Sequence, residues 1–325
     1  MKEVKISSIG AYLPPKIVTN NDLSELVETN DQWIVERTGI SERRVSTGEN
    51  TSNIALEASK IALERANVKG EDIDLIIVAT ITPDSFTPSV ACMVQKEIGA
   101  KKATAFDINA ACTGFIYALE VCMGLLKSGK YNKALVVGAE TLSKIVDWTD
   151  RRTCILFGDG GGACVVEAIA SDEKGIINTF TISDGEKGDA LVSNAIDVIN
   201  PFVKDKEIKN KYIQMNGQEV FKFATRAMVD SIINVLKDTG VDISDIKYVI
   251  PHQANVRIIE YAAKKLNLDK EKFYINLEKV GNTSSASVPI ALNDCFEKGL
   301  LKKGDKIILV GFGGGLTCGS ILVEW

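Results

Sequence analysis

The chain has 325 residues, 45% of them hydrophobic and 25% charged, and a formal net charge of −5. That length exceeds what one small core holds and points to two domains or two fused halves. The balance is that of an ordinary soluble protein, without the basic excess that binding to DNA or RNA requires.

The N-terminal "MKEVKISSIGAYLPP" has no apolar run long enough for a signal peptide, and no later stretch nears the roughly 20 apolar residues of a membrane span. A cytoplasmic protein with no membrane partner is expected. Seven cysteines, none in a CxxC pair, stand beside a single histidine. This set leaves too few partners for a Cys/His zinc site, so free thiols in a reducing compartment and no metal are expected.

Along the chain, "NIALEASKIALERANV" (53–68) has helical amphipathicity and "EDIDLIIV" (71–78) reads as a strand. "ATAFDIN" (103–109) is a second strand, running into the helical "TGFIYALEVCMGLL" (113–126), and "KALVVGA" (133–139) is a third. The Gly-rich "FGDGGGACVVEA" (157–168) feeds another. The polar, aperiodic residues 183–212 are a natural crossover between halves. A long amphipathic helix, "EVFKFATRAMVDSIINVLKDTGV" (219–241), and the strand "SDIKYVIP" (244–251) follow, and a glycine run, "GFGGG", precedes the last strand.

The chain repeats itself. "ALEVCMGLLKSGKYNKALVVG" starts at 118 and "ALNDCFEKGLLKKGDKIILVG" at 291, 173 residues later; each is a helix with Cys at its fifth position, a Gly-containing turn and a strand ending in Val-Gly. The strands starting at 71 and 244 share that offset of 173. Strands such as "LIIVAT" are apolar throughout, as when helices cover both faces of a sheet. The expected architecture is therefore α/β in two similar halves, 1–172 and 173–325.

In open α/β sheets ligands gather beyond the carboxyl ends of strands. Cys112 sits there, at the start of a helix, where orphan N–H groups and the helix dipole favour a thiolate. Cys92, Cys122, Cys154, Cys164 and Cys295 read as small core residues; Cys318, in "GGGLTCGS", is open. His252, the only histidine, ends the "YVIP" strand, and the repeat brings it to the same sheet edge as Cys112. Asn282 opens a helix in "GNTSSAS" and lies over Asn109 at the offset of 173. Alone it is a helix cap; joined to a thiol and an imidazole it becomes a third candidate.

Cys112 in "AACTGF", His252 in "PHQAN" and Asn282 in "GNTSSAS" resemble the Cys-His-Asn triad of β-ketoacyl-acyl carrier protein synthase III, the thiolase-fold enzyme that starts type II fatty-acid synthesis. "DQWIVERTGISERR", "FGDGGGACV" and the terminal "FGGG" extend the resemblance over nearly the whole chain. It implies a thiolase fold with a layered α-β-α-β-α core and a likeness to dimeric enzymes. It also implies a decarboxylative Claisen condensation of an acyl-CoA with malonyl-acyl carrier protein, with no cofactor beyond the CoA thioester substrate. Cys112 would carry the acyl group, His252 and Asn282 would stabilise the enolate, and the backbone N–H groups of Cys112 and Gly314 would form an oxyanion hole.

The same resemblance assigns Trp33, Arg37, Thr38 and Arg151 to the CoA adenine and phosphates, and Asn255 and Arg257 to the pantetheine tunnel and its mouth. An acidic carrier protein would dock on Lys222, Arg257, Lys264 and Lys265. Thr87, before Pro88, stands where many members carry a bulky cap on the acyl pocket contributed by the partner subunit, with Phe86 beside it, which implies primers longer or more branched than acetyl. Two other classes use similar residues: a papain-like thiol hydrolase, and a non-catalytic acyl-binding scaffold. A condensing enzyme with a specialised product is a third alternative.

Overall fold

The computed structural model describes residues 2–170, 174–203 and 208–325. Two sheets form the frame. The first contains β1 (Glu3–Tyr12), β2 (Leu75–Ala79), β3 (Thr104–Ile108), β4 (Lys133–Glu140) and β5 (Gly160–Ile169), in the spatial order β1-β5-β4-β2-β3. The second contains β6 (Ile176–Ser183), β7 (Ile246–Pro251), β8 (Lys306–Gly313) and β9 (Thr317–Glu324), in the order β7-β8-β9-β6.

The orders are the same plan read from opposite ends. The β2–β4 and β7–β8 pairs are parallel, and the pairs β4–β5, β8–β9, β1–β5 and β6–β9 are antiparallel. Even β3 has a remnant counterpart, a single parallel bridge from Val249 to Phe273. The 173-residue offset read from the sequence maps β1 onto β6 and β4 onto β8 at their first residues, 3 to 176 and 133 to 306.

Six helices complete the layers: α1 (Thr51–Ala66), α2 (Val90–Ile98), α3 (Gly114–Lys127), α4 (Gly217–Leu236), α5 (Val256–Leu266) and α6 (Ser287–Glu297). Their burial follows from their patterning. Helices α1 and α2 are amphipathic, and their apolar stripes (Ile54, Ala58, Ala62; Val90, Val94) cover the outer face of the first sheet together with Ile76 and Val78. Helices α4 and α5 cover the second sheet in the same way, with Met228, Ile232, Ile259 and Ala262 packed on Ile308 and Val310.

Helices α3 and α6 are apolar nearly all round, and such a helix must be buried on every side. They lie between the sheets, where Phe115, Leu119, Val288 and Leu292 join Leu75 and Val136 of one sheet and Leu309 and Ile321 of the other in a single core. The result is five layers, α-β-α-β-α. Among the described residues no helix is long and apolar enough to cross a membrane.

Two sequence expectations need amendment. The segment 183–212 is not the crossover between halves, because β6 already belongs to the second sheet by residue 176. Its described residues belong to the second half, and Asp189, Asn194, Lys209 and Asn210 among them line a large cavity. The expected boundary between 172 and 173 lies outside the described residues. Cys92 is half-buried on α2, whereas Cys122, Cys154, Cys164, Cys295 and Cys318 are buried free thiols, which assigns Cys318 to the core.

Candidate active site

A cavity of about 1950 Å³ opens beyond the carboxyl ends of the strands, and Cys112, His252 and Asn282 all line it. A smaller cavity of about 460 Å³ lies at the opposite ends of β7 and β8, walled by charged residues such as Asp245, Lys272 and Lys306 and lined by no cysteine or histidine. Among the described residues no group of three or more His, Cys, Asp or Glu is arranged to hold a metal ion.

Cys112 follows β3 on a single 3-10 turn, Ala111–Thr113, that leads straight into α3. The turn requires Ala111 at φ 46°, a left-handed conformation that is costly for a residue with a Cβ. Threonine hydroxyls hold it: Thr113 donates to the Thr317 carbonyl at 3.1 Å, and Thr317 donates back to the Thr113 hydroxyl at 2.8 Å, so a strand of the second half fixes the corner of the first. Gly313 allows the close approach, since a Cβ there would stand 2.6 Å from the Cys112 Cβ and 3.1 Å from its sulfur.

Burial works against the thiolate expected at this corner. Cys112 is only 6% exposed, and burial pushes its thiol up to about 11. The Ser284 side chain and the backbone N–H groups of Gly314 and Cys112 pull the other way, and the charge of buried Glu140 adds to the rise. Desolvation wins. The donors are placed as expected, but they act against the cost of charge in an apolar wall.

His252 follows β7, and its backbone N–H is tied to the Val310 carbonyl at 2.7 Å. Its ring meets the edge of Phe312 with centroids 5.1 Å apart and planes at 71°. Burial pushes its pKa down to about 3, so the imidazole is neutral at any physiological pH. Its Nδ1 is buried without a hydrogen-bond partner.

Asn282 is held by backbone bonds on both sides, its N–H to Leu156 O at 2.8 Å and its C=O from Gly158 N–H at 3.0 Å. Its Oδ1 accepts the Ser284 N–H at 2.9 Å. That bond fixes the amide's orientation and leaves its NH2 group as the donor.

The residues assigned to CoA cluster at the outer part of the same cavity. Trp33, Arg37 and Thr38 come from the helix Asp31–Thr38, and the Arg37 and Arg151 guanidinium carbons stand 4.4 and 5.2 Å from the Trp33 ring centroid. The Thr38 hydroxyl, however, is committed locally, donating to Ile34 O at 2.8 Å and accepting from Ile40 N–H at 3.0 Å. Of the neighbouring pair, Arg152 lines the cavity, while Arg151 donates to the Glu28 carbonyl at 2.9 Å. Asn255 caps α5 through the Arg257 N–H at 2.9 Å and donates to the Arg37 carbonyl at 2.9 Å, joining the halves at the mouth.

Arg257 lies on the cavity wall, and Lys264 and Lys265 follow on α5, all exposed. Lys222 is exposed on α4 beside cavity-lining Phe221, and Arg226, one turn further along, adds a positive charge that sequence reading passed over. Phe86, 78% exposed, and Thr87 are not on the Cys112 cavity of their own chain. Their loop projects outward.

Three supporting residues went unnoticed in the sequence: Phe312, Ser284 and Glu140. Phe312 and Ser284 stood inside motifs chosen for their neighbours. Glu140 stood at the end of an ordinary apolar strand, where no local pattern marks a buried carboxylate.

A family model described as 3-oxoacyl-[acyl-carrier-protein (ACP)] synthase III matches residues 106–185, and the model of its C-terminal part matches 236–325. A β-ketoacyl-[acyl-carrier-protein] synthase III of Clostridium beijerinckii is 58% identical over all of both chains, and that of Clostridium acetobutylicum is 56% identical over 100% of this chain and 99% of its own. Among solved structures, 3-oxoacyl-[acyl-carrier-protein] synthase III from Aquifex aeolicus superposes with a TM-score of 0.93 at 46% identity, covering 99% of this chain and 100% of that one. A priming β-ketosynthase of the R1128 polyketide pathway gives 0.91 at 32% identity, with 99% and 96% covered. With its thiolase fold and its full-length likeness to these proteins, the chain belongs to the β-ketoacyl-[acyl-carrier-protein] synthase III family, the initiating condensing acyltransferases of fatty-acid synthesis.

Proposed function

We propose that the protein joins an acyl-CoA primer to malonyl-acyl carrier protein, with Cys112, His252 and Asn282 as the catalytic groups and no cofactor beyond the CoA thioester. The observation that carries this reading is the company of the thiol: a neutral imidazole and an amide donor, neither hydrogen-bonded to the other. In the first half-reaction the Cys112 sulfur attacks the thioester carbon and CoA leaves with the thiol's proton. In the second, malonyl-carrier protein loses CO2, and the electron pair of the broken bond becomes an enolate. Neutral donors at Nε2 of His252 and the NH2 of Asn282 suit that oxygen, because a buried cation is not needed and a carboxylate would repel it.

The enolate carbon then attacks the acyl-Cys112 carbonyl. Backbone N–H groups of Cys112 and Gly314 are the donors for the oxyanion, and both hold the Cys112 thiol down against burial. Trp33, Arg37, Thr38, Arg151, Asn255 and Arg257 receive CoA, and Lys222, Arg257, Lys264 and Lys265 receive the carrier protein in the cytoplasm. A second copy of the chain brings Phe86 and Thr87 to the acyl pocket, which takes primers larger than acetyl.

A thiol hydrolase is disfavoured by the same geometry. Such an enzyme needs a basic imidazole oriented by the amide, whereas His252 has its pKa near 3 and Asn282 spends its oxygen on Ser284. The deciding experiment mixes the protein with acyl-CoA and then with malonyl-carrier protein carrying a labelled carboxylate. An acyl adduct on Cys112, by intact-protein mass spectrometry, followed by labelled CO2 and a lengthened carrier thioester, is the expected result. Cys112→Ala abolishes the adduct and the new carbon–carbon bond. Hydrolysis without chain extension would overturn the reading, and no adduct at all would favour a binding scaffold.

A further inference from the structure

Ser284 is an oddity among the buried polar residues. It is 1% exposed, its hydroxyl has no hydrogen-bond partner of full geometry, and it holds a left-handed backbone at φ 50°. A buried hydroxyl without a partner is costly, and a left-handed non-glycine residue adds to that cost. Such costs persist where they serve a site.

The surroundings say which site. The 3-10 turn Ser284–Ala286 packs against the turn Ala111–Thr113 that carries the nucleophile. The neighbouring hydroxyl, Ser285, points away and is spent on Ala79 O at 2.9 Å and Glu140 at 2.8 Å. Glu140, fully buried, also accepts from the Thr80 and Thr82 hydroxyls at 3.0 and 2.6 Å and from Ile81 N–H at 3.1 Å. This carboxylate clamps the second corner from below, and the Ser284 N–H is bound to Asn282 on the other side. Held from both sides, Ser284 has a side-chain oxygen that is buried without a partner, on the turn that packs against the Cys112 turn.

We infer that the Ser284 hydroxyl is a further catalytic group, a hydrogen-bond donor to the Cys112 sulfur. The inference rests on the reading of Cys112 as the nucleophile. The pull of Ser284 on the thiol, downward against burial, agrees with it. The other groups that act on this thiol are the buried Glu140, which raises it, and the backbone N–H groups of Gly314 and Cys112, which lower it; the neutral His252 lines the same cavity.

One donor serves both halves of the reaction. During acylation, sulfur gains negative character as the S–C bond forms and the bond to CoA breaks. During condensation, the C–C bond forms, the S–C bond breaks, and Cys112 leaves as a thiolate that regains its proton from solvent. The serine keeps its own proton throughout and lowers the cost of negative sulfur on the way in and on the way out.

The test is the rate of Cys112 alkylation by iodoacetamide between pH 6.5 and 9, read by peptide mass spectrometry, in the wild type, Ser284→Ala and Ser284→Gly. Glycine accepts the left-handed backbone without strain, so the second variant folds even where the first loses stability. Three- to tenfold slower alkylation in both variants at every pH is expected. A wild-type rate in either variant overturns the inference, because the hydroxyl is absent from both. Failure of wild-type Cys112 to be labelled in preference to the other cysteines would instead strike at its role as nucleophile.

Discussion

At Ala111–Thr113 the chain turns with Ala111 at φ 46° and enters α3; at Ser284–Ala286 it turns with Ser284 at φ 50° and enters α6. The two corners are 173 residues apart, and each packs on a glycine of the other half's strand. A Cβ on Gly311 would stand 3.1 Å from the Thr113 Cα, and one on Gly138, its counterpart, 2.4 Å from the Ser285 carbonyl oxygen.

Two residues further along, the halves part company. Gly313 leaves Cys112 open to the cavity, whereas Glu140, in the equivalent place, fills the space beside Ser285 and ties its hydroxyl down. A duplicated backbone supplies two corners, and the side chain facing each decides which one can receive a substrate.

The largest expected effect comes from emptying the closed corner. Glu140→Ala leaves two threonine hydroxyls and a backbone N–H buried without this acceptor and the Ser285 hydroxyl with Ala79 O alone, and costs about 3–5 kcal/mol in urea unfolding. Filling the open corner tests the converse. Gly313→Ala pushes on Cys112 from 2.6 Å away and slows acylation about a hundredfold, measured as the rate of adduct formation with acyl-CoA.

His252 gives the next effect. Its pKa near 3 lies below the 6.5 or so of an unfolded histidine, so between these values the unfolded chain holds a proton that the folded one refuses. Stability falls as the pH drops through that window, by about 2 kcal/mol at pH 5 from this group alone. His252→Asn removes that share, which is read by comparing unfolding at pH 5 and pH 7.5. The smallest effect lies at the rim: Lys264→Glu with Lys265→Glu raises KM for the carrier protein three- to tenfold, and more than KM for the acyl-CoA. Equal changes would place the docking surface elsewhere.

Much of the frame was legible because it rests on local pattern. The repeated "ALxxC" helices and the 173-residue offset matched β4 with β8 and β2 with β7. Cys112 and His252 were readable from their positions at strand ends. Asn282 needed its repeat partner and the company of the other two. Glu140 was invisible, since nothing nearby in sequence tells an exposed strand-end glutamate from one held by hydroxyls 58 to 145 residues away. Thr38 lines the cavity as the sequence reading expected, while its hydroxyl is also bonded to its own helix end, a detail that only the structure supplies.

From sequence alone came the two α/β halves, the strand-end thiol, imidazole and amide, and the lack of any charge excess for nucleic acid. These follow from composition, periodicity and repetition, which act over a few residues or at one fixed offset. Tertiary structure alone decided the protonation of the thiol and the imidazole, the sealing of one corner by Glu140, and the approach of Ser284 to Cys112. Each depends on desolvation or on a hydrogen bond across the junction of the halves, and such terms have no value until distant segments pack and exclude water.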